Sequence, residues 1–254
     1  MRGIPVLAAI ALSLLTAWPA RPRALSPYAD WAAIVVSGDD HAAHGGQPTR
    51  TFDNARRDVA AALEKRGFSA ANLIMFSASP AARAEAGVRP ADAGLIVRGL
   101  ETLTARARSG CLIYFTSHGA PQGLVLGDKL LPPSLMGSLV TRSCGERPAV
   151  VIVSACFSGI FIPALSGPDR MVLTAARRDR SSFGCGESDR YPYFDGCILE
   201  ALPKVRDFLL LAAAARACVA RREHQEHMRP PSQPQLSVGA AIRPRLAASP
   251  FPPG

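Results

Sequence analysis

Short, continuous apolar runs separated by stretches of helical spacing constrain this chain more than any other feature. The runs are Trp31–Val36, Asn72–Phe76, Cys111–Phe115, Ala149–Val153 and Arg170–Thr174. A strand with one face in water alternates apolar and polar residues, so an unbroken apolar run marks a strand covered on both faces. Between the runs lie helical segments: Thr51 to about Arg66, stopped by Gly67 and carrying Phe52, Val59, Ala60 and Leu63 on one face, then Ala91–Ser109, then Pro132 and Pro133 to about Arg142. Strands alternating with helices predict parallel pairing and right-handed crossovers. The expected fold is therefore a three-layer α/β/α sandwich with a mainly parallel, roughly six-stranded sheet, Gln235–Ile242 being the weakest strand. Ser181–Gly196 is Gly-rich and polar and reads as a loop. Pro203–Met228 reads as one long helix ended by Pro230, and residues 243–254 as a disordered tail. A chain of 254 residues suffices for one such domain, here residues 31–242, and is short for two.

Met1 and Arg2 precede an apolar stretch from Ile4 to Trp18, with small residues at Ala17 and Ala20. That is the pattern of a secretory signal peptide over residues 1–24. The expected location is periplasmic or secreted; left uncleaved, residues 4–18 would be a membrane anchor, although shorter than the roughly 20 residues of a full crossing. Export would put the 6 cysteines in an oxidising compartment, and the pair flanking the Gly-rich loop, Cys185 and Cys197, is the expected disulfide. No CxxC pair is present, and His41 and His44 sit in a loop without a spaced third ligand, so neither metal nor cofactor is expected. The net charge of +9 is spread over scattered arginines, and aromatics are 6% of residues, which excludes the clustered basic and aromatic footprint of a nucleic-acid binder.

Two consecutive strand ends carry chemistry. One finishes in Thr116, Ser117, His118, Gly119; the next in Ser154, Ala155, Cys156, Phe157, Ser158, Gly159. In open parallel sheets the crevice beyond the carboxyl ends of neighbouring strands is where ligands bind. A histidine and a cysteine there are the parts of a thiol nucleophile with its proton-transfer partner. Gly119 and Gly159 would let the backbone approach a substrate carbonyl, with the N–H groups of Gly119 and Cys156 as oxyanion donors. Alone, a cysteine after a valine-rich strand is a small buried hydrophobe and a His-Gly pair is a turn. Their occurrence at corresponding ends of consecutive strands favours catalysis. The serine and zinc hydrolase signatures GxSxG and HExxH are missing.

With the stretch Thr174–Cys185 and the segment Thr49–Asn54, these motifs resemble the legumain family of cysteine peptidases within the caspase-like group. The resemblance runs over about Trp31 to Ile242 and implies a caspase-like fold, no cofactor, and cleavage of a peptide or protein substrate after Asn or Asp. It also implies a specificity pocket built from Arg50, Ser182 and Asp195, with Ser154 where relatives commonly carry an acidic residue and Thr51 where they carry His. The same dyad would serve a transpeptidase or ligase. The competing class is a non-catalytic envelope protein that binds peptides in the cleft. Membrane contact is expected only through an uncleaved residue 4–18 segment.

Overall fold

Every residue of β1 (Trp31–Ser37) is buried, as a strand covered on both faces must be. In the computed structural model, which describes residues 26–43 and 46–253, the chain continues through α1 (Thr51–Lys65), β2 (Leu73–Ser77), β3 (Val88–Pro90), α2 (Ala93–Thr104) and β4 (Gly110–Thr116). A small hairpin sheet of β5 (Gly119–Ala120), β6 (Gly123–Leu126) and β7 (Lys129–Leu131) follows. Then come α3 (Pro133–Cys144), β8 (Ala149–Ser154), α4 (Ile162–Leu165), β9 (Arg170–Thr174), α5 (Tyr193–Ala201), α6 (Phe208–Gln225), β10 (Gln235–Val238) and α7 (Ile242–Ala248). The expected signal peptide and His44 lie outside the described residues. Among the described residues no helix is long and apolar enough to cross a membrane.

The main sheet has seven strands in the order β10-β9-β8-β4-β1-β2-β3. All its pairings are parallel except that of β10 with β9. The strand beyond the expected six is β3, whose Val88, Arg89 and Pro90 form a largely exposed edge with no apolar run to announce it. Helices α1, α5, α6 and α7 bury their apolar faces against one side of the sheet. Helices α2, α3 and α4 cover the other. The chain reverses its direction of travel across the sheet between β1 and β4, where the covering helices change side. That is the topological switch point at which such sheets place their sites.

Several expected boundaries shift for local reasons. Asp92 caps α2 by accepting the Leu95 N–H at 3.0 Å, and the helix ends at Thr104, short of Ser109. The expected helix Pro203–Met228 is broken: Asp207 restarts it by accepting the Leu210 N–H at 2.8 Å, because a capping aspartate competes with helix continuation. Helix α5 begins inside the expected loop, which puts Asp195 in its first turn. The expected disordered tail is instead α7 plus a packed end: Phe251 is buried, with its ring 5.2 Å from Tyr28 and 4.9 Å from Phe208. The disulfides are Cys111–Cys144 and Cys197–Cys218, correcting the Cys185–Cys197 pairing. Cys197 lies on α5 against α6, whereas Cys185 is a free thiol, pushed up to about 12 by burial.

Arg66 binds these late elements to the core. Its buried guanidinium donates to the Leu202 carbonyl from Nε at 2.7 Å and Nη2 at 2.6 Å, and to the Pro252 carbonyl from Nη1 at 2.9 Å. Arg66→Ala strands those carbonyls, so we expect a loss of about 2–3 kcal/mol. Thermal unfolding should show it as a Tm lower by roughly 5–10 °C, with little change in any activity.

Candidate active site

The parallel register sets the geometry. Thr116 of β4 is paired with Ser154 of β8, and the Ser117 N–H continues the ladder to the Ser154 carbonyl at 3.0 Å. His118 and Cys156 each follow that pair by two residues, beyond the carboxyl ends of β4 and β8. The backbones there are in contact: a Cβ built on Gly119 would overlap the Cys156 carbonyl oxygen. Gly119 is thus needed for packing against the Cys156 turn. Gly159 also meets neighbouring backbone rather than open cleft, since a Cβ there would lie 2.5 Å from the Arg178 nitrogen.

The turn after β8 is strained. Phe157 adopts a left-handed φ of 57°, unusual for an aromatic residue, and its N–H donates to the Arg180 carbonyl at 2.8 Å. That turn leaves Cys156 partly exposed. Its sulfur lies against the loop after β9: the Ser182 N–H donates to Sγ at 3.3 Å, and the Ser182 carbonyl and Oγ are at 3.5 and 3.6 Å. No hydrogen bond joins Cys156 to His118 among the described residues, a looseness common in catalytic pairs without bound substrate.

His118 is oriented by the loop that carries His41. Its Nε2 lies 2.9 Å from the His41 carbonyl. A carbonyl only accepts, so Nε2 carries the hydrogen and Nδ1 is left to exchange a proton. The His41 backbone is itself held, because Asp39 Oδ1 accepts the N–H groups of Asp40 and His41 at 2.7 and 3.1 Å. Phe52 of α1 packs edge-on against the His118 ring at 4.9 Å. That His41 sits in a loop was visible in the sequence, but that its carbonyl meets His118 was not. The Asp39 and Asp40 carboxylates flank His41 Nδ1 at 3.0 and 3.2 Å, and these pairings raise the His41 imidazole above its usual value.

The backbone donors next to the dyad residues are those of Gly119 and Cys156. The Val125 N–H donates to the His118 carbonyl at 2.9 Å, which makes Gly119 and Leu124 a non-hydrogen-bonded pair whose N–H groups turn away from each other. The N–H groups of Gly119 and Cys156 have no protein acceptor among the described residues.

The residues expected to form a specificity pocket have different surroundings. Ser182 is against Cys156. Exposed Arg50 precedes α1 and lines a small cavity with Asp53, Asn54, Ser79 and Glu85. Asp195 is fully buried, receiving hydrogen bonds from Tyr114 OH, from Thr116 Oγ1 at 2.9 Å and from Ser154 Oγ at 2.6 Å. Ser154 is buried with it. Thr51 is also buried and donates to the Asp189 carbonyl at 2.7 Å, tying α1 to the loop that carries Cys185.

Residues 92–207 match the sequence model of the Peptidase C13 family, a span that holds His118, Cys156, Ser182 and Asp195 but neither Arg50 nor His41. No curated protein matches the chain. Among solved structures, the crystal structure of caspase-1 from Spodoptera frugiperda shares the fold, with a TM-score of 0.60 at 16% identity over 84% of this chain and 88% of that one. The chain thus has a caspase-like fold whose residues 92–207 carry the pattern of the Peptidase C13 (legumain) family, and together these support a cysteine peptidase.

Proposed function

We propose that the chain is an exported cysteine endopeptidase with Cys156 as nucleophile and His118 as general acid and base, cleaving after Asn or Asp. The observation that supports this is the pairing of β4 with β8, since a histidine of defined tautomer and a partly exposed cysteine each follow that pairing by two residues. Proton transfer from the thiol to His118 Nδ1 yields the thiolate, which adds to the scissile carbonyl. The resulting oxyanion would be held by the N–H groups of Gly119 and Cys156. The proton on Nδ1 then passes to the leaving amine, giving a thioester at Cys156. Water, deprotonated by His118, resolves the thioester to acid and free thiol.

The preference for Asn or Asp rests on the family likeness. Arg50, with no carboxylate partner among the described residues, is the cation available to an acidic side chain, and Ser182 is the hydroxyl nearest the nucleophile. Two disulfides support an oxidising compartment.

The test is a panel of fluorogenic peptides differing only in the residue before the scissile bond, assayed from acidic to neutral pH beside Cys156→Ala. Turnover after Asn or Asp that vanishes in the variant is the expected result. Turnover after a different residue keeps the peptidase and discards the pocket; turnover that survives in Cys156→Ala refutes the nucleophile.

A further inference from the structure

We propose that Asp195 is a positioning residue, whose carboxylate ties the end of β4 to the end of β8 and so sets the spacing of His118 and Cys156. The inference rests on the cysteine-peptidase reading of the site.

The geometry is unusually direct. Thr116 and Ser154 are register partners on adjacent strands. Both donate to the same carboxylate oxygen, Oδ2, at 2.9 and 2.6 Å. Tyr114, one pleat back on β4, donates to Oδ1. His118 follows Thr116 by two residues, and Cys156 follows Ser154 by two. One carboxylate therefore bridges the last paired residues before each member of the dyad. Its own helix is anchored in turn, since the Cys197–Cys218 disulfide joins α5 to α6. Asp195 has no solvent-exposed surface, so a substrate side chain would have to displace one of these hydroxyls to reach it.

A buried carboxylate is costly to keep unless something requires it. Among the described residues Tyr114 is the titratable group hydrogen-bonded to it, and Tyr114 ionisation is pushed well above its usual value by burial, then by Asp195 itself. No Lys, Arg or His pairs with Asp195 from the helices or strands packed around it among the described residues. Burial, opposed by the three hydroxyls, raises the carboxyl from 3.8 to about 6. The sign follows: the raised value favours the neutral form in the folded state, so this group's contribution to stability is present below 3.8 and is lost as pH rises through about 6. Function runs the other way. The ionised carboxylate accepts from all three hydroxyls, whereas the protonated form must donate its own hydrogen to one hydroxyl oxygen, which reverses that bond. Above about pH 6 the clamp only accepts, and below it one of its bonds runs in the reverse direction.

The experiment compares full-length wild type with Asp195→Asn, which keeps the shape and removes the ionisation. Measured are kcat and KM on the best peptide of the panel against pH, and the rate of Cys156 alkylation by iodoacetamide against pH, followed by peptide mass mapping. The expected result is a folded variant with kcat lower by about 10–100-fold, KM within about twofold, and loss of the ionisation near pH 6 from both profiles. Unchanged kcat and pH dependence would overturn the proposal. So would a raised KM at constant kcat, which would put the carboxylate on the substrate instead. Should Asp195→Asn fail to fold, Ser154→Ala and Thr116→Val each remove one bond of the clamp and are expected to lower kcat and move the same ionisation; wild-type behaviour in both overturns it. If no peptide is turned over, the alkylation profile alone decides, and an ionisation near pH 6 that persists without the carboxylate refutes the role of Asp195.

Discussion

Replacing His118 with alanine should lower kcat/KM on the best peptide substrate by about 10³–10⁴-fold while leaving the fold intact. His118 is held at the surface end of β4 by one hydrogen bond to the His41 carbonyl and one edge contact with Phe52, so its loss opens no large cavity. On the proposed mechanism, what disappears is the base that accepts the thiol proton and the acid that protonates the leaving amine. Because nucleophile and base act as a unit, the double variant His118→Ala/Cys156→Ala should be no slower than Cys156→Ala alone. Initial-rate kinetics on the three proteins, with thermal unfolding as the control for folding, decides it. Losses that multiply in the double variant would mean that His118 acts on another step or at another group.

Gly119→Ala is the other substitution of large expected effect, and it tests the oxyanion donors. The added Cβ overlaps the Cys156 carbonyl oxygen, and backbone cannot rotate aside as a side chain does. The β4 end and the Cys156 turn must therefore separate, which moves apart the N–H groups of Gly119 and Cys156. Losing one such donor costs about 3 kcal/mol of barrier stabilisation, or about 10²–10³ in kcat. Overpacking adds about 1–3 kcal/mol of lost stability. We expect kcat to fall and KM to move little, since the donors bind the oxyanion and not the ground-state carbonyl. A variant as fast as wild type would remove Gly119 from the oxyanion role.

Much of this was legible in the linear chain, for identifiable reasons. The strands β1, β4, β8 and β9 were readable because burial on both faces demands unbroken apolar runs. The candidate dyad was readable because a parallel sheet brings consecutive strand ends together, so His118 and Cys156 each needed only a position at the end of a run. β3 was not readable, since three mostly exposed residues carry no pattern. The tail was misread because Pro, Ala and Arg resemble disorder locally, while α7 and Phe251 are ordered by packing against Tyr28 and Phe208.

The same divide runs through the site. Residue type and strand position alone determined that a cysteine and a histidine would each follow the carboxyl end of one of two neighbouring strands, since both placements follow from hydrophobic periodicity and chain connectivity. Tertiary structure decided everything that depends on contacts between segments far apart in sequence. The His41 carbonyl fixes which nitrogen of His118 holds the hydrogen. The approach of α5 buries Asp195 under Tyr114, Thr116 and Ser154 instead of leaving it in an open pocket. Helix α6 takes Cys197 as the partner of Cys218, so that Cys185 stays free beside the site. Hydrogen bonds and disulfides form only at particular distances and angles, and those distances are properties of the packed chain, not of its local composition.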